Sequence, residues 1–249
     1  MRIALFDLDH TLLPHDTQTL FCNYVLKRHR WRTLLHGIFV PFALARAIKL
    51  VPTSLAKRAF HSYLWGMPRA RLDALAREFA RESVDGWVYP ELRAELMRHR
   101  HQGRTLILNT ASPAFYARPI AEVLGFDHCI ATPVNPGSQM PLLPPIDGEN
   151  NKRQVKIDVM ERQLPALLQR TPADRADSWG YSDSAADIPL LDYCGHHLLI
   201  HPSRSLTAHY ATTPCTTVLK PRRPYRTKVG DMLAAARQML GLYRVRPRR

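Results

Sequence analysis

Hydrophobic and polar positions follow two rhythms along this 249-residue chain. The first element is the short apolar run Ile3-Ala4-Leu5-Phe6, whose large side chains predict a buried strand, and it ends abruptly in Asp7-Leu8-Asp9. From about residue 17 to 86 the spacing turns helical, as in Leu72, Leu75, Ala76 and Phe79, with few strand signals. From Gly103 strands and helices alternate. Residues 104–110 predict a strand, followed by a helix through Leu124 with Ser112 as its N-cap and Pro113 in its first turn. A short strand near Cys129–Thr132 leads into the proline-rich loop 133–149. A helix then starts near Gln154 and puts Ile157, Met160 and Leu164 on one face. Trp179-Gly180-Tyr181-Ser182-Asp183 is an acidic turn entering a helix, His197–His201 predicts a further strand, and a helix follows from about Ser203. The pattern is an α/β fold with a helical insertion placed directly after the first strand. An insertion there overhangs the strand's C-terminal end, where open α/β sheets bind ligands.

The chemistry begins where the first strand stops. Residues i and i+2 on a strand face the same side, so Asp7 and Asp9 can share one pocket. Two carboxylates that close raise each other's pKa unless a cation sits between them. Mg²⁺, which takes oxygen ligands beside phosphate-bearing substrates, is the simplest choice. One aspartate can then be a nucleophile and the other a proton donor. The plainer alternative is a turn in which Asp9 or Thr11 caps a helix. Thr110 and Ser112, at a strand end beside a helix N-terminus, suit a phosphate contact. Lys156 opens a helix, where a cation is unfavourable unless an anion lies nearby, and Lys152 is its reserve. Asp183 and Asp187 have the spacing of a shared helix face. Ser184 stands where a G-x-S-x-G elbow needs its second glycine, which excludes a serine-hydrolase reading, and there are no internal repeats and no P-loop.

Composition refines this picture in three places. At 45% hydrophobic the chain can bury one substantial core. The four cysteines are scattered without zinc-type spacing and predict reduced structural thiols. The opening directly on the Asp7/Asp9 strand predicts no signal peptide and a cytoplasmic protein. The net charge of +14 is uneven, because residues 219–249 hold ten Lys/Arg and one acid, Asp231. Such a tail, with Arg222, Arg223, Arg226, Arg248 and Arg249, suggests an anionic membrane or nucleic acid, or else a solvated terminus. Its aromatic residues, Tyr225 and Tyr243, are too few for single-strand stacking, so nucleic acid is not the expected partner. The apolar stretch 34–45 is too short to span a membrane. It follows Lys27-Arg28-His29-Arg30-Trp31-Arg32, so 27–50 reads either as a core helix or as a segment at the inner face of a membrane.

Together these segments resemble the haloacid dehalogenase (HAD) superfamily, in particular its phosphoserine-phosphatase-like subclass with a helical cap. Asp7-Leu8-Asp9-His10-Thr11 resembles the first motif, Thr110 the second, Lys156 the third, and Gly180-Tyr181-Ser182-Asp183 through Asp187 the fourth. The resemblance spans about residues 1–215. It implies a Rossmann-like core with a mostly parallel sheet from residues 1–14 and 88–215 and a cap over 15–87; the basic tail over 216–249 lies outside the resemblance. It further implies Mg²⁺-dependent hydrolysis of a phosphomonoester through an aspartyl-phosphate. Asp7 would be the nucleophile, Asp9 the acid and base, and Thr110 and Lys156 the stabilisers of the phosphoryl group. The metal would be held by Asp7, Asp9 through its carbonyl, and Asp183, with Asp187 orienting the shell. His10 stands where relatives often carry glycine, and no direct role is expected of it.

The substrate-reading places of phosphoserine phosphatases are matched by Asp16 and Arg58, with Ser112 beside them. Tyr63-Leu64-Trp65-Gly66, the 34–45 stretch and the segment after Gly180 resemble bacterial phosphatidylglycerophosphate phosphatases of class C. The expected substrate is therefore a membrane-lipid phosphate, and the alternatives are a phosphoserine-type metabolite or a binding module on a HAD scaffold. Peripheral contact with an anionic membrane is expected through 27–50 and the tail. Loss of salt-sensitive nucleic-acid or liposome binding on deleting residues 220–249, with hydrolysis intact, would assign the tail to tethering.

Overall fold

The computed structural model describes residues 1–225 and 227–244. Arg226, Arg248 and Arg249, named above for the tail, lie outside the described residues. Six strands form one sheet: β1 (Ile3–Phe6), β2 (Thr105–Pro113), β3 (His128–Thr132), β4 (Trp179–Ser182), β5 (His196–Ile200) and β6 (Thr216–Leu219). Their order is β3-β2-β1-β4-β5-β6, and every neighbouring pair is parallel. The strand that ends in Asp7 is thus central, flanked by β2 and β4.

Period-two alternation on the strands splits the core into two layers. Ala4, Phe6, Leu106, Leu108 and Tyr181 point to one face, while Ile3, Leu5, Ile107 and Leu199 point to the other. The first face is covered by α1 (Thr17–Arg28), α4 (Arg69–Phe79), α5 (Pro90–His101) and α6 (Ala114–Leu124); α2 (His36–Ala47) and α3 (Thr53–Phe60) lie between α1 and α4 in the chain. The second face is covered by α7 (Val155–Gln163), α9 (Ile188–Asp192) and α10 (Arg204–His209), with the short α8 (Pro172–Ala176) before β4. Helix α11 (Lys228–Met239) closes the described chain.

Two expectations are corrected. Ser112 does not cap α6: it is the penultimate residue of β2, and Pro113 occupies the cap without a side-chain hydrogen bond. The bulge between Asn109 and Pro113 carries the strand three residues beyond Thr110, where its apolar run predicts the end. Residues 216–219 are not a tail but the sixth strand, paired along β5 from His197–Thr216 to Ile200–Leu219. Its pattern of half-buried and exposed positions is that of an edge strand, and it lacks the apolar run that identified β1.

Gly195 sets the spacing behind the acidic turn. A Cβ there would lie 2.2 Å from the Ala176 carbonyl oxygen, which is backbone and cannot swing aside. Gly195→Ala should therefore destabilise the fold by about 1–3 kcal/mol, read as a lower urea midpoint with unchanged m.

Candidate active site

Asp7 sits where β1 leaves the sheet, its N–H still donating to Tyr181 O at 3.0 Å. The carboxylate is 7% exposed and receives Lys156 Nζ on Oδ1 at 2.8 Å. Lys156, 1% exposed in the first turn of α7, also reaches Asp187 Oδ1 at 2.9 Å. Asp187 is held in turn by the Ser182 hydroxyl at 2.7 Å. Thr11 Oγ1 lies 3.3 Å from both Asp7 Oδ2 and Asp183 Oδ1, and accepts from Asp183 N at 3.2 Å. Its single proton serves one carboxylate at a time.

Electrostatics follow from this crowding. Burial, partly offset by Lys156 and reinforced by Asp187, Asp9 and Asp183, pushes the Asp7 carboxyl up to about 8. Burial also raises Asp183 to about 6, against the pull of His10. For Lys156 burial disfavours the charge, yet Asp7 and Asp187 outweigh it and hold the ammonium above the usual lysine range. One buried ammonium thus faces Asp7, Asp9, Asp183 and Asp187 around a cavity of about 180 Å³. This surplus of hard oxygen anions fits a divalent cation such as Mg²⁺. Among the described residues no three Asp, Glu, His or Cys side chains are grouped so that they could hold a metal ion by themselves.

Asp9 is oriented from three directions. Thr17 donates its N–H and its hydroxyl to Oδ1, both at 2.6 Å, and Ser112 Oγ lies 2.6 Å from Oδ2. Asp9, Ala111 and Lys152 line both the Asp7 cavity and a second one of about 330 Å³. The two therefore meet at Asp9. The second cavity is also lined by Asp16, Gln18, Lys57, Ser112 and the rings of Phe39 and Phe60. Thr110 is fully buried, its hydroxyl accepting from Ser112 N at 3.0 Å, and the wall beside it is Ala111.

The cap contributes differently from expectation. Asp16 lines the cavity but spends Oδ1 on capping α1, accepting from Gln18 N at 2.7 Å and Thr19 N at 3.2 Å. Its side chain reaches solvent, yet the protein packed around it and the nearby Asp9 push its carboxyl up to about 6. Arg58 is not in the cavity: it donates to Pro144 O at 3.1 Å and Leu143 O at 3.0 Å and pins the proline-rich loop. Its neighbour Lys57 turns inward instead, bonding Ala111 O and, at 2.9 Å, Asn150 Oδ1. Burial lowers Lys57 to about 8 despite Asp9 and Asp16. Adjacent helical residues point about 100° apart, so which of the two faces inward is set by how α3 is rotated, not by composition.

Two further groups escape a reading of motifs. Asn151, buried, donates to Asn109 Oδ1 and Thr110 O, each at 2.9 Å, while Asn109 Nδ2 donates to Lys156 O at 3.0 Å. This ties the end of β2 to the helix carrying Lys156. The C-terminal segment clasps the loop after Asp7: Tyr225 OH donates to Pro14 O and lies 3.3 Å from His10 Nδ1. His10 adopts φ 58°, where side chains other than glycine are strained, and it lines the Asp7 cavity. The His15 ring packs against Trp87, Tyr225 and Tyr243, and Asn23 exchanges hydrogen bonds with the Tyr243 backbone at 3.1 and 3.2 Å.

A parallel sheet with a buried Asp–Lys pair at the end of its central strand is the framework of a hydrolase that works on an anionic group. The chain belongs to the haloacid dehalogenase-like hydrolases, whose family model matches residues 4–192. It is 26% identical over 240 residues to an "inhibition of morphological differentiation protein" of Streptomyces azureus, covering 90% of this chain and 80% of that one. A histidinol-phosphatase of Neisseria meningitidis is 23% identical over 223 residues, covering 82% and 92%. Among solved structures, a protein of unknown function from Bordetella pertussis Tohama I aligns with TM-score 0.70 and 25% identity, over 88% of this chain and 98% of that one. A phosphoserine phosphatase captured as a phospho-aspartyl intermediate analogue shares the fold, with TM-score 0.57 and 15% identity over 89% and 94%.

The clasp ties the C-terminal segment to the loop after Asp7. Tyr225→Phe should lower kcat about fivefold, the rate equivalent of about 1 kcal/mol of loop positioning, with KM little changed in steady-state kinetics. Deletion of residues 220–249 should abolish turnover.

Proposed function

We propose that this protein is a Mg²⁺-dependent phosphomonoester hydrolase that acts through an aspartyl-phosphate on Asp7. The observation that carries this reading is the buried Asp7–Lys156–Asp187 chain, with Asp9 held at the junction of two cavities. Lys156 occupies Asp7 Oδ1, which leaves Oδ2 to attack phosphorus. As the ester P–O bond breaks, Asp9 gives its proton to the leaving alkoxide. It then takes a proton from the water that attacks the acyl phosphate, and phosphate departs with Asp7 restored. Lys156 and the main-chain N–H of Ala111 would balance charge on the phosphoryl oxygens, with Thr110 holding the Ser112 N–H beside them. Asp7, Asp183 and the Asp9 carbonyl would hold Mg²⁺, with Asp187 bracing the shell. The ion would supply charge neutralisation for the phosphoryl group.

The leaving group belongs in the cavity of about 330 Å³, whose wall combines an ammonium, Lys57, with the carboxylate of Asp16. This pairing favours a small phosphorylated alcohol bearing an amine and an anionic group. An amine would relieve the crowding of Asp16 against Asp9; the names of the histidinol-phosphatase and phosphoserine-phosphatase relatives both support the amine, and the phosphoserine-phosphatase name alone supports the anionic group. The lipid phosphate has no counterpart among those names. It stays as the second reading because Phe39 and Phe60 form an apolar wall in the same cavity.

A panel of phosphoserine, histidinol phosphate, other small phosphomonoesters and phosphatidylglycerophosphate in mixed micelles separates the readings. Turnover should vanish in chelator, return with Mg²⁺, and fall by at least about a thousandfold in Asp7→Asn, which should also trap no phosphoenzyme. Unchanged turnover in Asp7→Asn would sink the mechanism.

Lys57 predicts a pH signature. Its ammonium is charged below about 8 and neutral above, so anion affinity is present below that pH and lost as pH rises through it. KM for an anionic substrate should rise above pH 8 in the wild type. Lys57→Arg should abolish that rise, and Lys57→Met should raise KM about tenfold at neutral pH.

A further inference from the structure

A surface helix ordinarily turns polar side chains to water, and α2 does the reverse. Its inner side buries His36 and sends Phe39 into the leaving-group cavity. On its outer side Val40, Leu44 and Ile48 recur every fourth residue, 50%, 65% and 69% exposed. Leu34 and Leu50 extend the row at 82% and 74%, with Trp31 beside it at 58%. Eighteen large hydrophobic side chains are exposed among the described residues, and six of them fall within residues 31–50. Such a concentration marks a surface that something covers.

The charge around this row has one sign. Residues 17–72 contain ten Lys/Arg and no Asp or Glu. Arg30, Arg46 and Lys49 are exposed along the apolar row itself. A second copy of the chain seated on this face would bring those cations against their equivalents, a repulsive pairing. An anionic lipid surface meets both requirements, since acyl chains take the apolar row and headgroups take the cations. The 12 residues of α2 rise only about 18 Å, and no described helix is long and apolar enough to cross a membrane, so the helix would lie in the interface plane.

We propose that the outer row of α2 is a docking surface for an anionic bilayer, with Arg30, Arg46 and Lys49 at headgroup level and Trp31 at the boundary. Because the inner side of the same helix lines the leaving-group cavity, docking sets that cavity about one helix diameter, roughly 10 Å, from the lipid. Docking concerns where the enzyme works and holds for a small substrate as well as for a lipid one.

The test is co-sedimentation of the full-length protein with phosphatidylcholine vesicles, with and without phosphatidylglycerol, together with tryptophan emission compared against Trp31→Phe and size-exclusion chromatography. The wild type should pellet with the anionic vesicles alone, shift its emission to the blue, and release as salt rises. The double variant Leu44→Asp/Ile48→Asp alters exposed side chains alone. It should bind at least about tenfold more weakly while keeping its melting temperature and its turnover of a soluble phosphomonoester. Arg46→Glu/Lys49→Glu should weaken binding to anionic vesicles with the fold intact. Wild-type protein that stays in the supernatant with both vesicle types overturns the proposal, as does equal binding by the apolar double variant. A dimer that dissociates in Leu44→Asp/Ile48→Asp and ignores vesicles would assign the row to a second copy instead.

Discussion

The structure depends on holding a buried carboxylate at the end of its central strand. Asp7 has lost most of its water, and the charges of Asp9, Asp183 and Asp187 act on it at the same time. Lys156 offsets part of that cost, but one ammonium shared with Asp187 cannot balance four carboxylates. The unfavourable surplus is what a divalent cation and an incoming phosphoryl group would relieve.

Maintaining that arrangement draws on elements far apart in sequence. The acidic turn after β4 is bound to the first motif through Thr11, and the helix carrying Lys156 is bound to β2 through Asn109 and Asn151. The C-terminal segment crosses back over the Asp7 loop and holds it through Tyr225, Gln238 and Tyr243 against Pro14, His15 and Asn23. The segment that looked like a solvated basic terminus thus clasps the loop after Asp7.

The cap separates two tasks between adjacent surfaces. Its inner side presents Lys57, Asp16, Phe39 and Phe60 to a cavity that opens at Asp9, where an alcohol leaving group would sit. Its outer side presents an apolar row flanked by cations. Arg58, read from the sequence as the substrate's partner, anchors the proline-rich loop, and the residue before it takes the place in the cavity.

What the sequence determined by itself was everything encoded by local spacing. The central strand and its two aspartates, the strand–helix alternation after Gly103, and Lys156 at the start of its helix are legible because their periodicity or their placement is local. The tertiary structure alone decided which side chains converge across long separations. The phase of α3 that admits Lys57 and turns Arg58 away is one such decision. Others are the continuation of β2 through a bulge to Ser112 and the edge pairing that makes 216–219 a strand. The return of Tyr225 onto a loop more than two hundred residues earlier in the chain is another. Each depends on packing and hydrogen bonding between segments with no common period, and such partners become visible only when the chain has closed on itself.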